Sequence, residues 1–128
     1  MRTQGPWLAT VLPVLNEEAH IEACLRSLLD QSLPSGEHMV LVFDGGSSDA
    51  TGEIIRSIQE SLNKENDPVL QLYDNPDRFV PHARNLALKH LPESVTHVLE
   101  FNGHIEIDSN HLEQLKSVWN RLESAHPN

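Results

Sequence analysis

Asp44-Gly45-Gly46-Ser47 is the stretch of this chain best suited to hold a small polar ligand. It follows an apolar run, Val40-Leu41-Val42-Phe43, that stops abruptly at the carboxylate. Asp44 can accept hydrogen bonds from a base or a sugar, and the glycines let a flat ligand approach the backbone. In an open α/β sheet, ligands bind at the carboxyl ends of the strands. Two more apolar runs end in polar groups: residues 8–15 in Asn16-Glu17, and residues 95–101 in Asn102-Gly103-His104. Arg84 and Asn85 can reach the same rim from a helix at its side. Taken singly, Asn16 and Asp49 read equally well as helix caps, and the glycines as turn residues. Taken together, polar residues recurring at the same end of successive strands mark a ligand rim.

The elements that must position this rim alternate in type. Residues 8–15 form a continuous apolar run, suited to a strand covered on both faces. Pro13 lies near its end, where a missing ladder donor matters least. Asn16 offers an N-cap, and Glu17 and Glu18 suit the first turn of a helix reaching about residue 31. Pro34 and Gly36 mark a loop over 32–37, and residues 39–43 read as the second strand. A helix over 49–62 carries Ile54, Ile55, Ile58 and Leu62 on one stripe. Residues 69–73 form a third strand, followed by the turn signature Asp74-Asn75-Pro76-Asp77. A helix over 80–90 has Pro81 in its first turn, which proline tolerates. Residues 95–101 give the fourth strand, and a last helix over 110–122 carries Leu112, Leu115, Val118, Trp119 and Leu122. Such alternation predicts an α/β fold: a parallel sheet with right-handed crossovers and helices on both faces.

At 128 residues the chain has room for one domain and one modest core. A net charge of -10 argues against bulk binding to nucleic acid or anionic membrane. Arg78, Arg84 and Lys89, with His82 and His90, form one basic island. It is either a donor cluster for a small anion or an ordinary solvated helix face. Cys24 is alone, which excludes an intrachain disulfide and fits a reducing compartment. The first apolar run meets Asn16-Glu17-Glu18 with no small-residue cleavage site, so a strand explains it better than a signal peptide. No segment approaches the ~20 apolar residues of a membrane span. His90, His97, His104 and His111 recur seven apart, but across a helix, a strand, a turn and a helix, which scatters them.

Leu12-Pro13-Val14-Leu15-Asn16-Glu17, Phe43-Asp44-Gly45-Gly46-Ser47-Ser48-Asp49-Ala50-Thr51 and Ala83-Arg84-Asn85 together resemble family 2 glycosyltransferases of the GT-A fold. Asp-Gly-Gly-Ser, with His104 later, looks most like the succinoglycan-type branch that builds bacterial polysaccharides. The resemblance implies a Rossmann-like three-layer sandwich with a mostly parallel four-stranded sheet. It implies one nucleotide-sugar-binding domain over 1–128, cut before the acceptor-binding half. On this resemblance Pro13, Val14, Asn16 and Glu17 would lie against the base of a nucleotide diphosphate sugar, a UDP-sugar. Asp44 would accept from a ring nitrogen, Gly45 and Gly46 would leave room for the ribose with Ser47 beside them in the site, and Arg84 would face the diphosphate or help hold the acidic rim.

The fourth strand end departs from the family. Its usual Asp-x-Asp, which binds a divalent metal beside the diphosphate, reads here Asn102-Gly103-His104. Asn102 can bond a ribose hydroxyl but brings no charge. His104 suits Mn²⁺ better than Mg²⁺, which prefers oxygen ligands. The resemblance thus implies Mn²⁺ or Mg²⁺ with His104 as the candidate ligand. It also implies inverting transfer to a glycan or lipid-linked acceptor, with the general base on the missing half. The chain alone is then expected to be inactive, cytoplasmic or held at the cytoplasmic membrane face by other parts, and able to self-associate through an uncovered flank. A non-catalytic nucleotide-binding or scaffolding module is the alternative that the two lost carboxylates leave open.

Overall fold

The computed structural model describes residues 5–76 and 80–125, the latter without the side chains at 80–82, 84 and 124–125. Four strands, β1 (Leu8–Val14), β2 (His38–Asp44), β3 (Val69–Asp74) and β4 (His97–Glu100), form one sheet in the order β3-β2-β1-β4. Every pairing is parallel. The helices are α1 (Ile21–Leu29), α2 (Thr51–Ser61), α3 (Val80–Leu88) and α4 (His111–Ala125). The α/β expectation thus holds, with a wholly parallel sheet.

The central strands explain their own sequence. β1 and β2 have neighbours on both sides and helices on both faces, so both faces must be apolar. Leu12, Val14, Val40 and Val42 pack on one face with Ile21, Leu25 and Leu28 of α1 and Ile55 and Ile58 of α2. Ala9, Val11, Leu41 and Phe43 pack on the other with Ala83 and Ala87 of α3. α4 joins the first face near one edge, where Leu112 packs with Leu8 and Leu33. The chain steps outward from β1 to β3, then returns across the sheet to β4. Right-handed crossovers put the returning helix on the opposite face, and α3 is the helix found there.

Several element ends differ from the sequence reading, among them the starts of α1 and β4. α1 begins at Ile21, not after an Asn16 cap, and its N-cap position, His20, makes no side-chain cap bond. β4 is only His97–Glu100, because Val95 N–H closes a turn onto Pro92 O and Thr96 N–H donates to Trp7 O. No described helix is long and apolar enough to cross a membrane.

One polar pair is locked inside the sheet. His38 Nε2 lies 2.7 Å from Thr10 Oγ1, and both residues are buried. His38 Nδ1 has no partner. Burial disfavours the charged imidazolium and pushes the His38 pKa down to about 4. The unfolded chain then takes up a proton near pH 6.5 that the folded chain refuses until about 4. Stability is therefore full above pH 6.5 and falls as the pH drops toward 4, by roughly 3 kcal/mol for this group. Urea denaturation across that window is expected to show a one-proton slope that His38→Gln removes, relative to the unchanged carboxylate background.

Candidate nucleotide-binding rim at the carboxyl edge of the sheet

Strand register sets the rim. Val14 of β1 is paired with Asp44 of β2, and Asp44 with Asp74 of β3, so three strands end level. Gly45 N–H donates to Val14 O at 2.9 Å, and Asn75 N–H donates to Asp44 O at 2.8 Å. Both bonds carry the ladder one residue past the strands, holding the Asp44 backbone from either side.

The Asp44 carboxylate is only half used. Its Oδ1 accepts from Gly46 N–H at 3.2 Å, Ser47 N–H at 2.9 Å and Ser47 Oγ at 2.7 Å. Three donors on one oxygen fix the side-chain rotamer. Gly46 makes this possible with φ of 91°, a conformation that penalises any Cβ. Oδ2 accepts no hydrogen bond from a described residue and lies beside Gly52 at the start of α2.

The loops after β1 and β2 are stitched together by hydrogen bonds running in both directions. Asn16 N–H donates to Ser47 Oγ at 2.9 Å, and Ser48 N–H returns to Asn16 Oδ1 at 2.8 Å. Glu17 N–H donates to Thr51 Oγ1 at 2.9 Å. Glu18 N–H donates to Asp49 Oδ2 at 3.2 Å, and Ala50 N–H donates to Glu18 Oε2 at 3.0 Å. Asp49 Oδ1 also accepts from Thr51 N–H at 3.0 Å, capping α2 from one residue outside its end. The Thr51 hydroxyl bond above all, with backbone N–H donors, holds the Asp49 carboxyl below the usual aspartate range against the opposing effect of desolvation. Asn16 adopts φ of 51°, left-handed backbone that asparagine tolerates better than most residues.

The third part of the rim lies across β1. Val11 O accepts from Phe101 N–H at 3.0 Å, so the Val11 edge of β1 faces β4. Pro13, two residues on, faces the same way and has no N–H to offer. Its missing donor falls where β4 has already ended, and the strands part there. The gap is a cavity of about 380 Å³ lined by Pro13, Glu100, Phe101, Asn102 and Ile105 over Val11 and Leu99. It lies between β1 and β4, where the strand order reverses, the expected ligand crevice of an open α/β sheet. Gly103 is buried against the end of β1, where a Cβ on it would come within 3.0 Å of Val14 Cγ1 and 3.3 Å of Glu17 Cγ. His104 Nδ1 stands 3.8 Å from Glu17 Oε1.

Pro13, Val14, Asn16, Glu17, Asp44, Gly45, Gly46, Ser47, Asn102 and Gly103 thus share one edge of the sheet, with His104 beside Glu17. Arg84 belongs to α3, but its side chain, that of His82 and the whole of Arg78 lie outside the described residues. Asn85 and Lys89 are exposed. The histidines at 90, 97, 104 and 111 fall at four separate places, and no group of three or more metal-binding side chains forms among the described residues. Sequence reading missed Asn75, a buried side chain beside Asp44, because Asp-Asn-Pro-Asp reads as a solvated turn. It also missed Glu100, Phe101 and Ile105, which are ordinary strand and loop residues until the reversal at β1 opens a crevice beside them.

An open parallel α/β domain with a polar rim at its strand ends and a crevice at its switch point defines a class of small-ligand-binding α/β protein. The particular family is set by comparison: the chain belongs to glycosyl transferase family 2, whose model matches residues 10–125. A Methanococcus voltae dolichyl N-acetyl-alpha-D-glucosaminyl phosphate 3-beta-D-2,3-diacetamido-2,3-dideoxy-beta-D-glucuronosyltransferase is 26% identical over 121 residues, 94% of this chain and 36% of that protein. Succinoglycan biosynthesis protein ExoA of Rhizobium meliloti (strain 1021) is 32% identical over 105 residues, 82% of this chain and 30% of that protein. The chain thus spans about a third of the length of these curated relatives. Among solved structures, S. aureus TarS 1-349 is similar, with a TM-score of 0.74 and 25% identity over 89% of this chain and 32% of that one. The fold is accordingly that of the GT-A glycosyltransferases, as the motifs implied.

The stitched loops make a specific energetic claim. Asn16→Gly keeps the left-handed backbone and loses only the bonds that Oδ1 accepts from Ser48 N–H and, at 3.4 Å, Ser48 Oγ, a cost of about 1 kcal/mol. Asn16→Ala loses the same bonds and also strains the backbone, for roughly 2–3 kcal/mol in all. Chemical denaturation of the two variants is expected to rank them in that order; equal losses would mean that the φ of Asn16 carries no energetic weight.

Proposed function

We propose that this chain is the donor-binding part of an inverting glycosyltransferase and binds a nucleotide diphosphate sugar, a UDP-sugar, along the Asp44 rim. The observation that carries this reading is the Asp44 carboxylate, with Oδ1 saturated by three donors and Oδ2 accepting from none of the described residues. A rigid, ionised acceptor selects a ligand edge that donates, and uracil offers a ring N–H where cytosine offers a lone pair. S. aureus TarS 1-349, of the same fold, was solved in complex with UDP and with UDP-GlcNAc. The relatives named above build glycans, which supports a sugar donor.

Pro13 and Val14 would flank the base, with Asn75 beside it. The crevice between β1 and β4 would take the ribose and diphosphate, with Asn102 bonding a hydroxyl. His104 and Glu17, 3.8 Å apart, are the residues that would hold Mn²⁺ or Mg²⁺ there. A metal at that place offsets the charge that develops on the leaving diphosphate. Arg84 would serve the same charge from α3. The reading covers donor binding; deprotonation of an acceptor hydroxyl is assigned to no residue of this chain. A glycan or lipid-linked acceptor and the base would belong to further parts of the polypeptide, at the cytoplasmic side of a membrane.

A second reading, a nucleotide-binding module without transfer, is favoured by the uncharged Asn102 and by the lone His104–Glu17 pair. The variant carrying both Asn102→Asp and His104→Asp separates the two. A large Mn²⁺-dependent gain in UDP affinity supports a donor site tuned away from the family pattern. Unchanged binding supports the module.

Titration calorimetry is expected to show UDP binding, and CDP binding weaker by about tenfold or more. Asp44→Asn is expected to cost UDP about 10–100-fold, the worth of a hydrogen bond to a charged group, and to erase the preference over CDP. Folded protein that fails to bind UDP, or binds both nucleotides alike, would sink the reading.

A further inference from the structure

A second cavity, about 730 Å³, opens at the opposite end of the sheet. Trp7, the residue before β1, and His97, the first of β4, form one side, and Trp119 of α4 overhangs them. Seven residues of β1 separate this mouth from the Asp44 rim, about 20 Å of extended chain. The two places cannot share one small ligand.

The walls are built, not incidental. Trp7 and His97 meet edge to face with centroids 5.4 Å apart, and His97 and Trp119 do so at 4.5 Å. Such packing fixes ring orientation. Trp7 Nε1 donates to Glu37 Oε1 at 2.7 Å, and Lys116 Nζ reaches the same oxygen at 2.7 Å. Partial burial works against the Glu37 carboxylate, but these two donors outweigh it and hold its pKa below the usual range. Thr96 Oγ1 lies 2.7 Å from His97 Nδ1, fixing the imidazole from behind. Trp119 nevertheless stays 44% exposed, with Asn120 and Glu123 beside it on the rim.

The lining selects its ligand by exclusion. Three carboxylates, Glu37, Glu93 and Glu123, face one ammonium, Lys116, which repels an anion such as a nucleotide. The Lys116 ammonium already occupies Glu37, which leaves a cation only Glu93 and Glu123, both exposed and solvated on the rim, where an ion pair is worth little. An apolar tail would strand the polar rim without hydrogen bonds. A neutral sugar chain meets all three conditions. Each pyranose offers an apolar C–H face to an indole and a ring of hydroxyls to carboxylate, amide and ammonium. We propose that this cavity binds a neutral glycan, held on Trp119 and Trp7 and hydrogen-bonded by Asn120, Glu123 and Glu93. The site stands whether or not the donor reading holds, because it shares no residue with the Asp44 rim.

Indole N–H resonances of the 128-residue chain report on both tryptophans directly. Titration with maltohexaose, cellohexaose and N,N′-acetylated chitohexaose is expected to shift them with at least one sugar at or below about 10 mM. Trp119→Ala is expected to weaken that sugar about tenfold or more while leaving UDP binding unchanged. Asn120→Ala, on the exposed rim, is expected to weaken it as well, and serves where the tryptophan variant folds poorly. Asp44→Ala is expected to keep glycan binding intact. The proposal is overturned by silence of both indoles to all three sugars. It is equally overturned by shifts that persist in both rim variants, or by tetramethylammonium binding more tightly than any sugar.

Discussion

The parallel pairing of β1 with β2 is the interaction on which the rest depends. Seven residue pairs bring Val14 level with Asp44, and each strand is covered by helices on both faces. Slipping that register by one residue would turn the apolar sets to the wrong faces and move Asp44 off the edge. Burial thus fixes, at a distance, where the carboxylate stands. The Gly45 to Val14 and Asn75 to Asp44 backbone bonds then extend that order into the loops.

Loops at a strand edge normally keep freedom, because their backbone groups find water. Here two loops satisfy each other. Asn16, Glu18, Ser47, Asp49 and Thr51 exchange hydrogen bonds between the β1 and β2 exits. Ordering such segments costs about 1–2 kcal/mol per residue in backbone entropy, so it occurs where the fold holds both ends close. The result is a preorganised rim, in which a ligand need not bear that cost again. Cys24 lies beneath, buried with its thiol pKa pushed up to about 11 by desolvation, which leaves it unreactive.

The two ends of the sheet are chemically unlike. The carboxyl edge carries a carboxylate with one oxygen that accepts from none of the described residues, glycines and a crevice made by Pro13. The amino edge carries indoles, an imidazole and a mixed polar rim. The family 2 match, residues 10–125, includes the first set. The Asn102-Gly103-His104 triplet carries no carboxylate, so this strand end is less negative than the one at Asp44. The Trp7–His97–Trp119 cluster follows from the ends of β1 and β4 lying side by side.

Apolar runs and their punctuation made the order of strands and helices readable, because a strand buried on two faces must be apolar throughout. The Asp44 segment and the Asn16-Glu17 segment were legible for the same reason: each interrupts such a run with groups that only a surface can hold. Helix starts were less so, since Asn16 and Glu18 have the chemistry of caps and bond across to another loop instead. Asn75 looked like a turn residue, and only the pairing of β3 with β2 set it beside Asp44. Glu100, Phe101 and Ile105 carried no signal, as their role depends on β4 crossing to the far side of β1. The histidines at seven-residue spacing pointed the other way, and the change of element between them separates them in space. Local sequence determined which segments are strands and which residues end them, because periodicity and capping chemistry act over a few residues. Only the tertiary structure decided which strand ends meet, because strand order follows from burying whole faces, and no single segment contains that information.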